Sequence, residues 1–136
     1  MKLSAKAEYA CLAMLEMARR NPEEPPARIR EIAGPSHIPE RYLVQILLRL
    51  KGAGLVQSVR GASGGYHLAR PAQRISLLDV LNAIDGPPEP MPDPTEPLAR
   101  ALLKVRRQAS EAERKILAET TLESLVADLA AREWVI

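Results

Sequence analysis

One cysteine in 136 residues, Cys11, excludes an intramolecular disulfide and a cysteine-rich zinc or iron–sulphur site. Any bound metal needs other ligands, and no metal or cofactor is expected. Long apolar runs are also missing: no stretch approaches the ~20 residues of a membrane span. The opening MKLSAKAEYA does not have the pattern of a signal peptide. No membrane partner and a cytoplasmic location are therefore expected. The glycine-rich patterns of phosphate and dinucleotide loops, GxxxxGK[ST] and GxGxxG opening a helix, do not occur. Nor does a pairing of nucleophile and base, a carboxylate pair or a metal-ligand spacing, so an enzyme is not expected.

What the chain does have is 46% apolar residues, enough for one sizeable core with an added arm. Its net charge of +2 is unevenly placed. Residues 1–70 hold 11 Lys/Arg against 6 Asp/Glu, whereas residues 71–136 hold 8 against 11. The first half is where a polyanion would bind.

Ala5 to Ala18 is apolar on almost every side, which predicts a helix buried between layers. Arg28 to Ala33 reads as a short helix that Gly34 and Pro35 stop. From Pro39 to Gly52, Leu43, Ile46, Leu47 and Leu50 follow the i, i+3, i+4, i+7 rule, with Arg41, Gln45 and Leu48 on the other side. Pro39 suits a first helical turn. Two helices with a short turn between them read as a helix-turn-helix or, equally, as a plain αα-hairpin.

The next segment separates those two readings. Leu55 to Val59 and Tyr66 to Ala69 predict two strands of a hairpin, joined by RGASGG. Gly61, Gly64 and Gly65 give this turn access to positive φ and to close backbone approach. A wing results, and Arg60 at its root is placed to enter a narrow, electronegative minor groove.

The start MKLSAKAEYA, the segment IPERYLVQILLRLKGAGLVQSVRGASGGYHLARP and the later ISLLDVLNAIDG resemble the IscR/NsrR/CymR family of bacterial winged-helix transcriptional regulators. The resemblance is close over residues 1–86 and general beyond. It implies a mainly α fold with a small β-hairpin, a winged helix-turn-helix domain plus a long C-terminal dimerisation helix. It further implies a homodimer on a palindromic double-stranded DNA operator, usually as a repressor. Carried over residue by residue, Arg41, Val44 and Gln45 match base-facing positions and Arg60 matches the wing arginine. The whole DNA-facing set is read as Lys6, Arg41, Tyr42, Val44, Gln45, Arg49, Arg60, Gly61, Ser63, Gly64 and Gly65. Three departures stand out. Many members hold an iron–sulphur cluster with three cysteines where this chain has GPPEPMPDPTEP, with six prolines and no cysteine or histidine. Pro39 replaces a capping serine. Val44 stands where an acidic residue often occurs, which is expected to relax or redirect operator preference. Glu8 matches a position that supplies a ligand in some members and is read here as an ordinary charge.

The domains expected are residues 1–85 for DNA binding, a proline-rich linker at 86–97, and a helical dimerisation region at 98–136. In the last, Leu98, Leu102, Val105, Ala109, Ala112 and Ile116 have the heptad spacing of a helix that packs along a partner helix. Pairing with a second copy is the economical reading, and folding back on its own domain is the alternative. A short helix follows, with Thr120 and Glu123 as a capping box. Cys11 reads as a small core residue, with a redox thiol as the alternative. His37 and His67 are expected near the DNA face. Two functions remain: a DNA-binding regulator that answers to a thiol event, a small molecule or a partner protein, and a winged-helix protein-interaction module without operator recognition.

Overall fold

A computed structural model describes residues 1–133, as six helices and one two-stranded hairpin. The first helix, α1 (Ala5–Ala18), starts at Ser4, whose hydroxyl accepts from the Ala7 backbone N–H at 3.1 Å. Its buried face is Ala7, Ala10, Ala13, Met14 and Met17. Small alanines let neighbours approach closely, and α1 becomes the central element on which most of the other helices pack.

The helices α2 (Ile29–Ala33) and α3 (Glu40–Gly52) form the helix-turn-helix. In the turn His37 takes φ +53, a left-handed conformation that a histidine tolerates better than a branched residue. Ile38 follows, buried, and its N–H bonds Ala33 O at 2.9 Å. Leu43, Ile46, Leu47 and Leu50 of α3 are all buried, as their period predicts. Pro39 is not in the first helical turn but caps it. Its backbone is extended, and its carbonyl accepts from Tyr42 N and Leu43 N at 3.0 and 3.1 Å.

The hairpin pairs β1 (Val56–Val59) with β2 (Gly65–Leu68), Val56 opposite Leu68 and Val59 opposite Gly65. Leu55 stays outside the ladder because its N–H turns back to Leu50 O at 2.9 Å. A third piece of backbone adds to the edge: Ala27 and Tyr66 exchange two N–H···O bonds of 2.8 Å.

After a single tight turn at Ala72–Arg74 comes α4 (Leu77–Asp85), which opens on a reciprocal cap between Ser76 and Asp79. The linker leads to α5 (Pro97–Glu119), capped by the Glu96 carboxylate on Ala99 N at 2.9 Å. Two arginines of α5 hold the linker: Arg100 donates to Pro94 O at 3.0 Å, and Arg107 pairs with Asp93 at 3.0 Å. One stripe of α5, with Leu103 buried, faces α4. The heptad stripe is turned to solvent: Leu98 is 79% exposed, Leu102 62%, Val105 59% and Ile116 65%, and Ala109 and Ala112 are exposed between them.

The last helix, α6 (Leu122–Glu133), is capped by Thr121 and not by Thr120. Thr121 Oγ1 accepts from Ser124 N at 3.1 Å, while the Thr120 hydroxyl donates back to Ile116 O and finishes α5. The chain then returns to its beginning. Leu122 is fully buried in the core shared with α1, α3 and α4, and Leu122 N bonds Ile75 O at 2.9 Å. Among the described residues no helix is long and apolar enough to cross a membrane.

Candidate nucleic-acid interface

Burial of four leucine and isoleucine side chains fixes which face of α3 looks outward. That face carries Arg41, Tyr42, Val44, Gln45 and Leu48, all exposed, in the stripe an α-helix can lay into a major groove. The Arg41 guanidinium lies over the Tyr42 ring, 5.0 Å from its centroid, which steadies a long cation without neutralising it. Arg41, Val44 and Glu40 share a shallow concavity with Arg28, Ile29 and Arg30 from the start of α2. Arg49 is different. Its Nη1 donates to Ile84 O at 2.6 Å, so its head ties α3 to the end of α4. Lys6 lies half-buried in the first turn of α1.

The wing follows from its glycines, which divide the two roles between them. Only Gly61 has positive φ, at +105°. Gly64 and Gly65 are required by proximity instead. A Cβ on Gly64 would run into the Val59 carbonyl oxygen, and one on Gly65 would lie 2.5 Å from Ala27 O. Arg28 Nη2 donates to Ala62 O at 2.8 Å, across 34 residues, and pins the tip of the loop to the start of α2. The Glu31 carboxylate accepts from Arg28 N, which holds it below the usual carboxylate range, with Arg20 beside it acting in the same direction. Arg60 stands exposed at the root of this braced loop. Among the described residues it has no side-chain hydrogen bond or ion pair. Ser63 is exposed on the same loop.

Arg28 and Arg30 are the residues that sequence reasoning missed at this face. The available signal was the pair of arginines flanking the start of α2 in PARIREIA. His37 serves the turn. His67 lines a cavity with Met17 and Val126 instead of joining the α3 surface.

Cys11 is half-buried against the core, and burial, reinforced by Glu8 and Asp85, pushes its thiol up to about 11. At neutral pH the nucleophilic thiolate is therefore scarce.

The Rrf2 family model, described as an iron-dependent transcriptional regulator, matches residues 3–128. The transcriptional regulator CymR of Bacillus subtilis is 36% identical over 128 residues, covering 92% of this chain and 89% of its own. The solved structure of that protein, described as the global cysteine regulator of B. subtilis, superposes with a TM-score of 0.78 at 35% identity, over 93% of this chain and 97% of the other. A structure of IscR from T. potens also gives 0.78, at 29% identity, over 95% and 88% of the two chains.

Iron in that family description raises the question of a donor set. The residues here do not fit a thiolate-held cluster: the one cysteine lies on α1, and the linker is fastened by arginines to carbonyls and Asp93. Among the described residues no three of His, Cys, Asp and Glu gather as metal ligands.

Proposed function

The chain belongs to the Rrf2 family of transcriptional regulators, and from that premise we propose a sequence-specific DNA-binding repressor, acting as a homodimer on a palindromic operator in the cytoplasm. The observation that carries this is the joint geometry of α3 and the wing: an outward stripe of Arg41, Val44 and Gln45 beside an unpaired Arg60 on a loop braced by Arg28. A helix in the major groove reads base edges, while an arginine in the adjacent minor groove reads width.

Two-fold pairing along Leu98, Leu102, Val105, Ala109, Ala112 and Ile116 would cover the exposed stripe of α5 and join two winged heads, as a palindromic operator requires. The signal is something other than a cysteine-held cluster. A small molecule or a partner protein fits the donor set better than iron, and the raised Cys11 pKa disfavours a thiol trigger. One observation favours a second reading, a protein-interaction module: Leu48 is 64% exposed and Val44 41%, so α3 also presents apolar surface. Thymine methyl groups offer those two residues a partner within the first reading.

The test is selection of bound duplexes from a random pool, followed by transcription in vitro from a promoter overlapping the selected site. A palindrome with two half-sites, bound with a steep salt dependence and lowering transcript yield, is expected. Failure to enrich any sequence would transfer the assignment to the interaction module.

A further inference from the structure

Behind the wing, on the side away from α3, lies a half-open cavity of about 900 Å³. This is large enough for a small organic ligand. It is walled by the end of α1, the proline-rich loop 22–27, β2 and the start of α6, and its floor is apolar, with Met17, Leu68 and Val126. Two charged side chains of opposite sign face it from different elements: Arg70, just after β2, and Glu123, in the first turn of α6. Neither makes a hydrogen bond or ion pair among the described residues, with each other or with any other group. The remaining pair at the rim, Arg20 and Glu24, is already joined at 3.4 Å.

Apolar floor, one available guanidinium and one available carboxylate together describe a complementary molecule. We propose that this cavity is the effector site of the regulator, and that it takes a small zwitterion with an apolar body, of the class of apolar amino acids and short apolar peptides. The carboxylate meets Arg70, the ammonium meets Glu123, and the side chains cover Met17, Leu68 and Val126. The proposal rests on the reading of a regulator that answers to a small molecule.

Two structural connections join the cavity to the wing. Its wall includes Tyr66 to Leu68 of β2, together with Val59, the residue before Arg60. In addition, Arg20 at the rim pairs with Glu31 at 3.4 Å, Glu31 accepts from Arg28 N at 3.1 Å, and Arg28 holds the wing at Ala62 O. An occupant that moves β2 or competes for Arg20 shifts the loop carrying Arg60.

Leucyl-leucine is the probe, titrated by calorimetry into the full chain, alone and bound to its selected duplex. Binding in the millimolar range or tighter is expected, with a loss of about tenfold when the carboxylate is amidated or the amine acetylated. Arg70→Ala should no longer distinguish the amide from the free acid. Glu123→Gln should no longer distinguish the acetylated form. Neither change should alter duplex affinity without the dipeptide. Val126→Trp should cover part of the apolar floor and weaken binding, and the two surface substitutions keep the test decisive if that variant unfolds. Duplex and dipeptide should change each other's affinity by one and the same factor. Absence of heat up to about 10 mM dipeptide, or equal loss on capping in wild type and both charge variants, overturns the site. Binding with no change in duplex affinity overturns the effector role. If no duplex is selected, titration of the chain alone still decides the site, so the two readings fail separately.

Discussion

Replacing Gly65 with alanine tests the close approach that builds the wing. The added Cβ falls 2.5 Å from Ala27 O, 2.8 Å from Ala27 C and 3.0 Å from Pro26 C. All three are backbone atoms, so no side chain can swing aside. Relief requires the Ala27–Tyr66 bridge to open, which breaks its two 2.8 Å hydrogen bonds. At a net ~1 kcal/mol each, the loss is about 2 kcal/mol. For a chain of this length that lowers the melting temperature by roughly 6–10 °C. The third piece of backbone then leaves the hairpin edge, and Arg60 loses its fixed distance from α3. Duplex affinity should fall about as far as in Arg60→Ala, although every charge is retained. Gly52→Ala is the control. Nothing lies within 4 Å of its Cβ and its φ is not left-handed, so it should be neutral or stabilise by roughly 0.4–1 kcal/mol. Thermal unfolding by circular dichroism at one protein concentration, with fluorescence anisotropy on the selected duplex, reads both effects. A Gly65→Ala protein melting within about 1 °C of wild type would refute the reasoning.

Arg60→Ala should cost ~1–3 kcal/mol in operator affinity and weaken discrimination at the outer positions of each half-site, as a binding series on outer-position variants would reveal. Gln45→Ala should relax an inner position and leave the salt slope unchanged, and an altered slope would assign Gln45 to phosphate instead. Val105→Glu should place a charge beside its symmetry mate and dissociate the dimer, read by sedimentation. A wild type already monomeric at micromolar concentration would remove the basis for this. Alkylation of Cys11 should accelerate about tenfold per pH unit from neutral pH upward, without a plateau before the thiol pKa of about 11. Because the folded thiol holds its proton beyond the ordinary value of 9.0, the stability it contributes is intact below pH 9.0 and declines as pH rises toward 11. A rate plateau near pH 9 would mean the thiol is solvated.

The helices of the reading head were legible because their signals are local. The apolar period Leu43, Ile46, Leu47, Leu50 states which side of α3 is inside, and by elimination which side meets a ligand. Signals that depend on distant partners were not legible. Arg28 reads as the first residue of a short helix; the structure makes it the N-cap, and Ala62, 34 residues on, supplies the carbonyl its guanidinium holds. Arg49 reads as a DNA-facing residue, and nothing local announces that its guanidinium also donates to Ile84 O, 35 residues on. Glycine is ambiguous in the same way. Its codes for left-handed backbone and for lack of room are identical in sequence, and only tertiary neighbours separate Gly61 from Gly64 and Gly65. The cap of α6 was misplaced by one residue because Thr120 and Thr121 are adjacent, and only the hydrogen bonds tell which ends one helix and which begins the next.

The return of α6 to the first helix sets an order on how the protein is made. Leu122 is fully buried in the core, and the backbone of residues 120–122 bonds Ile75 and Leu77, so the core of the winged domain is not complete until residue 122 has left the ribosome. A nascent chain halted anywhere in α5 would carry the helix-turn-helix and the wing yet lack the residue that closes them. Long-range closure of this kind is slow relative to helix formation. The α5 stripe is thus synthesised before the residue that completes the head, so under the proposed pairing two chains would be able to meet along it before either head is closed.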